Sequence, residues 1–79
     1  MRGLQDEPVM RGLQEGQRRR LQKAISARVY QLTKEKGATQ ALFKAIYSAI
    51  KERYNVDSYK SISPQYLQDA IRFIESWNG

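Results

Sequence analysis

Apolar residues recur at helical spacing in three stretches of the chain. Leu21, Ala24, Ile25, Val29 and Leu32 follow i, i+3, i+4 steps, which place them on one helical face. This spacing predicts a first helix from about Glu15 or Gln17 to Lys36. Gly37 is suited to end it, because glycine accepts a positive φ, and Lys34 and Lys36 favour the negative end of the helix dipole. Leu42, Ala45, Ile46, Ala49 and Ile50 form a second stripe, with Phe43 and Tyr54 at its edge. The helix that carries it should start near Ala38 or Thr39, with Thr39 as N-cap, and stop near Tyr54, with Asn55 in a left-handed conformation.

A nine-residue connector follows, 55–63, and its Val56, Tyr59 and Ile62 predict a loop packed onto the core. Ser63 then Pro64 read as N-cap and first helical position, where proline's missing N–H costs nothing. The third helix should run to about Trp77 and carries Leu67, Ala70, Ile71, Ile74 and Trp77 on one side, widened by Tyr66 and Phe73. That arc is roughly 160°, broader than a surface helix needs. Either the helix is wedged between two others or part of it is covered by another chain.

The predicted fold is therefore all-α: a small three-helix domain with a long basic N-terminal helix and an ordered loop before the last helix. Residues 16–79 form this domain, and residues 1–15 read as a flexible N-terminal segment. Within that segment Met1-Arg2-Gly3-Leu4-Gln5 recurs as Met10-Arg11-Gly12-Leu13-Gln14. Two copies are too few for a repeat architecture, and Gly3, Pro8, Gly12 and the adjoining Gly16 oppose a helix there.

With 79 residues, the chain can build one thin core. It has neither cysteine nor histidine, which excludes disulfides and the usual zinc ligand sets; no metal site and no cofactor are expected. Missing support would have to come from self-association, with a symmetric dimer as the simplest form. No apolar run reaches the roughly 20 residues of a membrane span, and the polar start lacks a signal-peptide core, so a cytoplasmic protein without membrane contact is expected. The commonest catalytic bases and nucleophiles are absent, and the glycines form no phosphate loop, so the chain is not expected to be an enzyme.

The net charge of +6 is unevenly spread: residues 1–36 hold nine basic and four acidic residues, against five and four in 37–79. Such asymmetry points to nucleic acid or an acidic partner. Opposite the buried face of the first helix lie Arg19, Arg20, Lys23 and Lys34, with Tyr30 among them, a pattern able to follow a phosphate backbone. An ordinary solvated face has the same composition. Lys44, Tyr47 and Lys51 form a smaller patch on the second helix, for which an exposed edge is the simpler reading. Arg18 falls on the core side of the wheel, but the helix is expected to overshoot the core there and leave Arg18 in solvent. A helix-turn-helix is disfavoured, since its connector is usually three or four residues and the third helix exposes two acids and one arginine. Tyr66, Phe73 and Trp77 read as core or subunit interface before any ligand surface.

From about Arg20 to Trp77 the chain carries Val29-Tyr30-Gln31-Leu32, Lys51 to Val56, Ser58-Tyr59-Lys60-Ser61-Ile62 and Phe73-Ile74-Glu75-Ser76-Trp77. This series resembles the Orf-six-C family, the small C-terminal domain of phage antirepressor-type regulatory proteins. The resemblance implies a module that accompanies an N-terminal DNA-binding or antirepressor domain in a phage or prophage regulator. It leaves open whether the module contacts DNA, binds a phage repressor or oligomerises.

Overall fold

The structure is a computed structural model that describes residues 12–79; the first eleven residues of the expected flexible segment lie outside it. Three α-helices account for most of the described chain: α1, Glu15–Lys36; α2, Thr39–Tyr54; and α3, Leu67–Ser76. Two 3₁₀ turns, Tyr59–Ser61 and Pro64–Tyr66, lie between α2 and α3, and no strand occurs among the described residues. The all-α, three-helix architecture matches the sequence expectation.

The long helix α1 is the shared wall. It packs along both α2 and α3, whereas those two approach one another mainly through long side chains. Leu21, Ile25, Val29, Ile46, Ile50, Ile62 and Ile74 are all but fully buried, and Leu32, Leu42, Leu67 and Ala70 complete the core around them. Ala45 departs from the predicted stripe of α2: it is exposed, and Leu42, Ile46 and Ile50 alone make the buried row.

The helix ends show where local chemistry was read correctly and where it was not. Gly37 has φ 69° and donates to the Thr33 carbonyl at 2.8 Å. Ala38, not Thr39, occupies the N-cap position of α2, in the left-handed region at φ 51°, ψ 55°. Thr39 is the first helical residue, and its hydroxyl lies 3.2 Å from that of Thr33, which in turn donates to the Val29 carbonyl. Asn55 adopts the expected left-handed end, φ 53°. Pro64 takes its expected place, but it opens a 3₁₀ turn before the α-helix proper begins at Leu67.

The ordered chain also begins earlier than residue 16. Leu13 is 3% exposed and belongs to the core, and its N–H donates to the Lys60 carbonyl at 3.0 Å. The Gln14 N–H donates to Gln17 Oε1 at 2.9 Å, which satisfies one of the free donors at the start of α1. Arg18 does not overshoot into solvent: its Nη1 reaches back to the Leu13 carbonyl at 2.9 Å. At the other end of the chain, Arg28 donates from Nε to the Trp77 carbonyl at 2.6 Å, and from its two terminal nitrogens to Gln31 and Asn78. The arginine thereby holds the residues after α3 against the middle of α1.

A left-handed conformation costs an L-residue about 1 kcal/mol, and glycine avoids that cost at some loss of unfolded-state entropy. Ala38→Gly should therefore raise the stability to denaturant by roughly 0.5–1 kcal/mol, and Gly37→Ala should lower it. Equilibrium urea unfolding of the two variants checks the opposite signs.

Candidate nucleic-acid interface

The side chains of α1 and α2 that point away from the core bring two separate sequence patches onto one face. On α1, Arg19, Lys23, Tyr30 and Lys34 lie along one row, since multiples of three and four residues return to the same side of a helix. On α2, Lys44 and Lys51 stand three residues before and four after Tyr47. Phe43 joins the rows. Its ring meets Tyr30 edge-on with centroids 5.9 Å apart and stacks on Tyr47 at 6.5 Å. Tyr47 continues to Tyr59 in the connector, 5.6 Å away, and Gln22 of α1 donates to the Tyr59 hydroxyl. A row of four aromatic rings thus crosses from α1 over α2 to the first 3₁₀ turn.

The cations beside it are free to meet a partner. Arg20, Lys23, Lys34, Lys44 and Lys51 are exposed, as is Lys60 next to Tyr59. Arg19 pairs with Glu15 at 3.0 Å, but both side chains are 72% exposed, and such i, i+4 surface pairs contribute only about 0.3–0.5 kcal/mol. A phosphate competes readily for that arginine. Glu35 and Glu52 each fall about 140° around their helices from Tyr30 and Tyr47, so neither acid belongs to the rows. Arg20 lies to one side of the α1 row. Tyr30 is 57% exposed and is the ring most open to stacking. Burial, and next the neighbouring Tyr59, push the Tyr47 hydroxyl above the ordinary tyrosine pKa.

Phe43, Tyr59 and Lys60 were not among the residues expected at the site, although the first two sat at the predicted edge and in the packed connector. Arg28 counted toward the basic first helix, but its donors are taken up by the end of the chain. Among the described residues there is no group of three or more acids that could hold a metal ion, and no helix is long and apolar enough to cross a membrane.

The expected interface residues lie elsewhere. Tyr66 is 47% exposed and its ring is 6.1 Å from that of Tyr54. Phe73 is half-buried under the Arg53 guanidinium, 4.8 Å from the ring centroid. Trp77 is half-buried at the far end of α3, where Arg28 holds its carbonyl. Arg53, Tyr54, Tyr66 and Asp69 line an open hollow between α2 and α3. There the Tyr54 hydroxyl donates to Asp69 Oδ2, and Arg53 approaches the same oxygen at 3.4 Å. The hydrogen bond from Tyr54, helped by the charge of Arg53, holds the Asp69 carboxyl below the usual aspartate range. Burial first, and then that same hydrogen bond, push Tyr54 up.

Fold and surface together define a small helical domain with a cation-rich, aromatic-bridged face. The chain belongs to the ORF6C domain family, whose model it matches over residues 3–79. The family is associated with phages, and a regulatory module is compatible with it. No curated protein and no solved structure is significantly similar to the chain.

The shifts in the hollow make stability depend on pH at both extremes. Asp69 has a lowered pKa in the folded chain, so its contribution is present above the ordinary aspartate range and is lost as pH falls through it. Tyr54 has a raised one, so its contribution is lost as pH rises through and beyond the ordinary tyrosine range. Thermal melts between about pH 2 and 6 should flatten in Asp69→Asn, and those above about pH 9 should flatten in Tyr54→Phe.

Proposed function

We propose that this ORF6C domain is a non-catalytic binding module of a phage or prophage regulatory, antirepressor-like protein, and that it contacts the nucleic-acid backbone through α1 and the adjoining row of α2. The observation that carries the reading is the Tyr30–Phe43–Tyr47 bridge, which joins the row of Lys23 and Lys34 on α1 to that of Lys44 and Lys51 on α2, with Glu15, paired to Arg19, as the acid at the start of the α1 row. Lysine and arginine rows neutralise phosphates without reading bases, so binding is to duplex DNA without sequence preference. The setting is the cytoplasm of a bacterial host. Nonspecific dissociation constants are about 10⁻⁴ to 10⁻⁶ M at physiological salt, and log K falls with log salt at about −0.9 per phosphate neutralised.

Titration of duplex DNA at several salt concentrations, followed by fluorescence anisotropy, tests this. Contacts from Arg19, Lys23, Lys34, Lys44 and Lys51 give an expected slope of about −4.5. Replacing Arg19, Arg20, Lys23 and Lys34 with Gln should abolish binding with helicity intact, and Lys44→Gln or Lys51→Gln should each lower the slope by about 1. Arg72→Gln, on α3, should leave it unchanged. No binding at about 50 mM salt, or a slope near zero, overturns the proposal.

A second reading rests on the hollow between α2 and α3. Tyr66 is one of only two large apolar side chains exposed among the described residues, and it adjoins Phe73 through Tyr54 and Arg53. An aromatic at the rim of such a hollow suits an interface, either a symmetric dimer or a surface for a phage repressor. Static light scattering at about 100 μM should then show a mass above the monomer that Tyr66→Ala returns to the monomer value. A monomer mass for the unaltered chain, with a melting temperature independent of concentration, excludes the dimer.

A further inference from the structure

The docked lead at residues 12–14 reads as a short motif held by a shaped slot. A Cβ on Gly12 would stand 2.7 Å from the Lys60 carbonyl oxygen, a backbone atom with no freedom to swing away, so the slot demands glycine there. The next residue must be large and apolar: Leu13 is buried in the core, its N–H is held by Lys60 and its carbonyl by Arg18. Gln14 then meets Gln17 at the start of α1. The sequence that satisfies these demands, Gly-Leu-Gln, occurs twice in the chain, at 12–14 and at 3–5, each time within Met-Arg-Gly-Leu-Gln and each time followed by an acid, Glu15 or Asp6.

We infer that Gly3-Leu4-Gln5 is a second occupant for the slot that holds Gly12-Leu13-Gln14, and that it enters the slot of its own chain when the nearer copy leaves. The offset between copies is nine residues. With Leu4 in the place of Leu13, the intervening residues close a loop of the size common in compact surface loops, and Asp6, Pro8 and Gly12 within it suit turns. The entropy of closing it grows only slowly with length. Lys60 and Arg18 offer their bonds to backbone atoms, which any copy supplies. The nearer copy is preferred because Gln14 is contiguous with α1 and needs no loop. A binding partner that draws residues 10–14 away would thus leave the core covered, with the lead shifted by one repeat.

Substitution in pairs tests this in the full chain. Leu4→Ala alone should leave the melting temperature unchanged. Leu13→Ala should lower it modestly, and the double variant should lower it further, on the order of 10 °C or more below the unaltered chain, as for an emptied leucine site. Gly3→Ala and Gly12→Ala should repeat the pattern through the glycine. The chain has no cysteine, so Arg2→Cys carries a unique nitroxide. In the Leu13→Ala background this label should erase the amide signals of Ser61 and Ile62, and Leu4→Ala should restore them. The inference is overturned if Leu13→Ala melts like the double variant, or is unfolded with Leu4 intact. It is equally overturned if the label leaves Ser61 and Ile62 unaffected.

Discussion

Everything in this fold hangs on one stripe of α1. Leu21, Ile25 and Val29 have no exposed surface, and they are covered from one side by α2 and from the other by α3. Burial of a single Val, Leu or Ile contributes about 1.5–3 kcal/mol, and a chain this small has few such residues to use. The other two helices therefore cannot be ordered independently of α1. Their mutual boundary is closed by reach, with Arg53 laid over Phe73 and Tyr54 joined to Asp69, and not by a second apolar seam.

The three helices were legible because each carries a period that survives any tertiary arrangement. Leu21 to Leu32, Leu42 to Ile50 and Leu67 to Ile74 each fall on one face, and Gly37, Asn55 and Pro64 punctuate them by backbone chemistry. The misreadings occurred where a residue's role depends on something distant in the chain. Leu13 lies in a lead rich in glycine, and only the Lys60 carbonyl 47 residues away explains why it is buried. Ala38 has no side-chain oxygen to mark a cap; its left-handed backbone comes from the short joint it shares with Gly37. Ala45 fits the period of α2 but stands beyond the line along which α1 touches it.

The surface was legible by halves. The lysines and Tyr30 of α1, and the Lys44–Tyr47–Lys51 patch of α2, were each visible as rows, but a wheel drawn for one helix carries no phase relative to another. Phe43 supplies that phase, and its position at the edge of a stripe marked it only as partly buried. The wide apolar arc of α3 left open whether the helix is wedged between two others or partly covered by another chain. Much of it is used inside the chain, by Arg53 over Phe73 and by the folding back of Trp77 onto Arg28, which leaves Tyr66 as its open member.

The clasps at the two ends of the described chain have a mechanical meaning. Tension entering through the N-terminal lead arrives at Leu13, held by its N–H to the Lys60 carbonyl, by Arg18 of α1 at its own carbonyl, and by its side chain in the core. Tension entering through the last residues arrives at the two bonds from Arg28, to the Trp77 carbonyl and to Asn78. Both grips bear on α1, so the helix acts as a beam loaded at its start and at its middle, and the segment beyond Gln31 carries no load. A pull on the N-terminal side would unseat Leu13 and slacken the connector before it disturbed the packing of α2 or the cation rows.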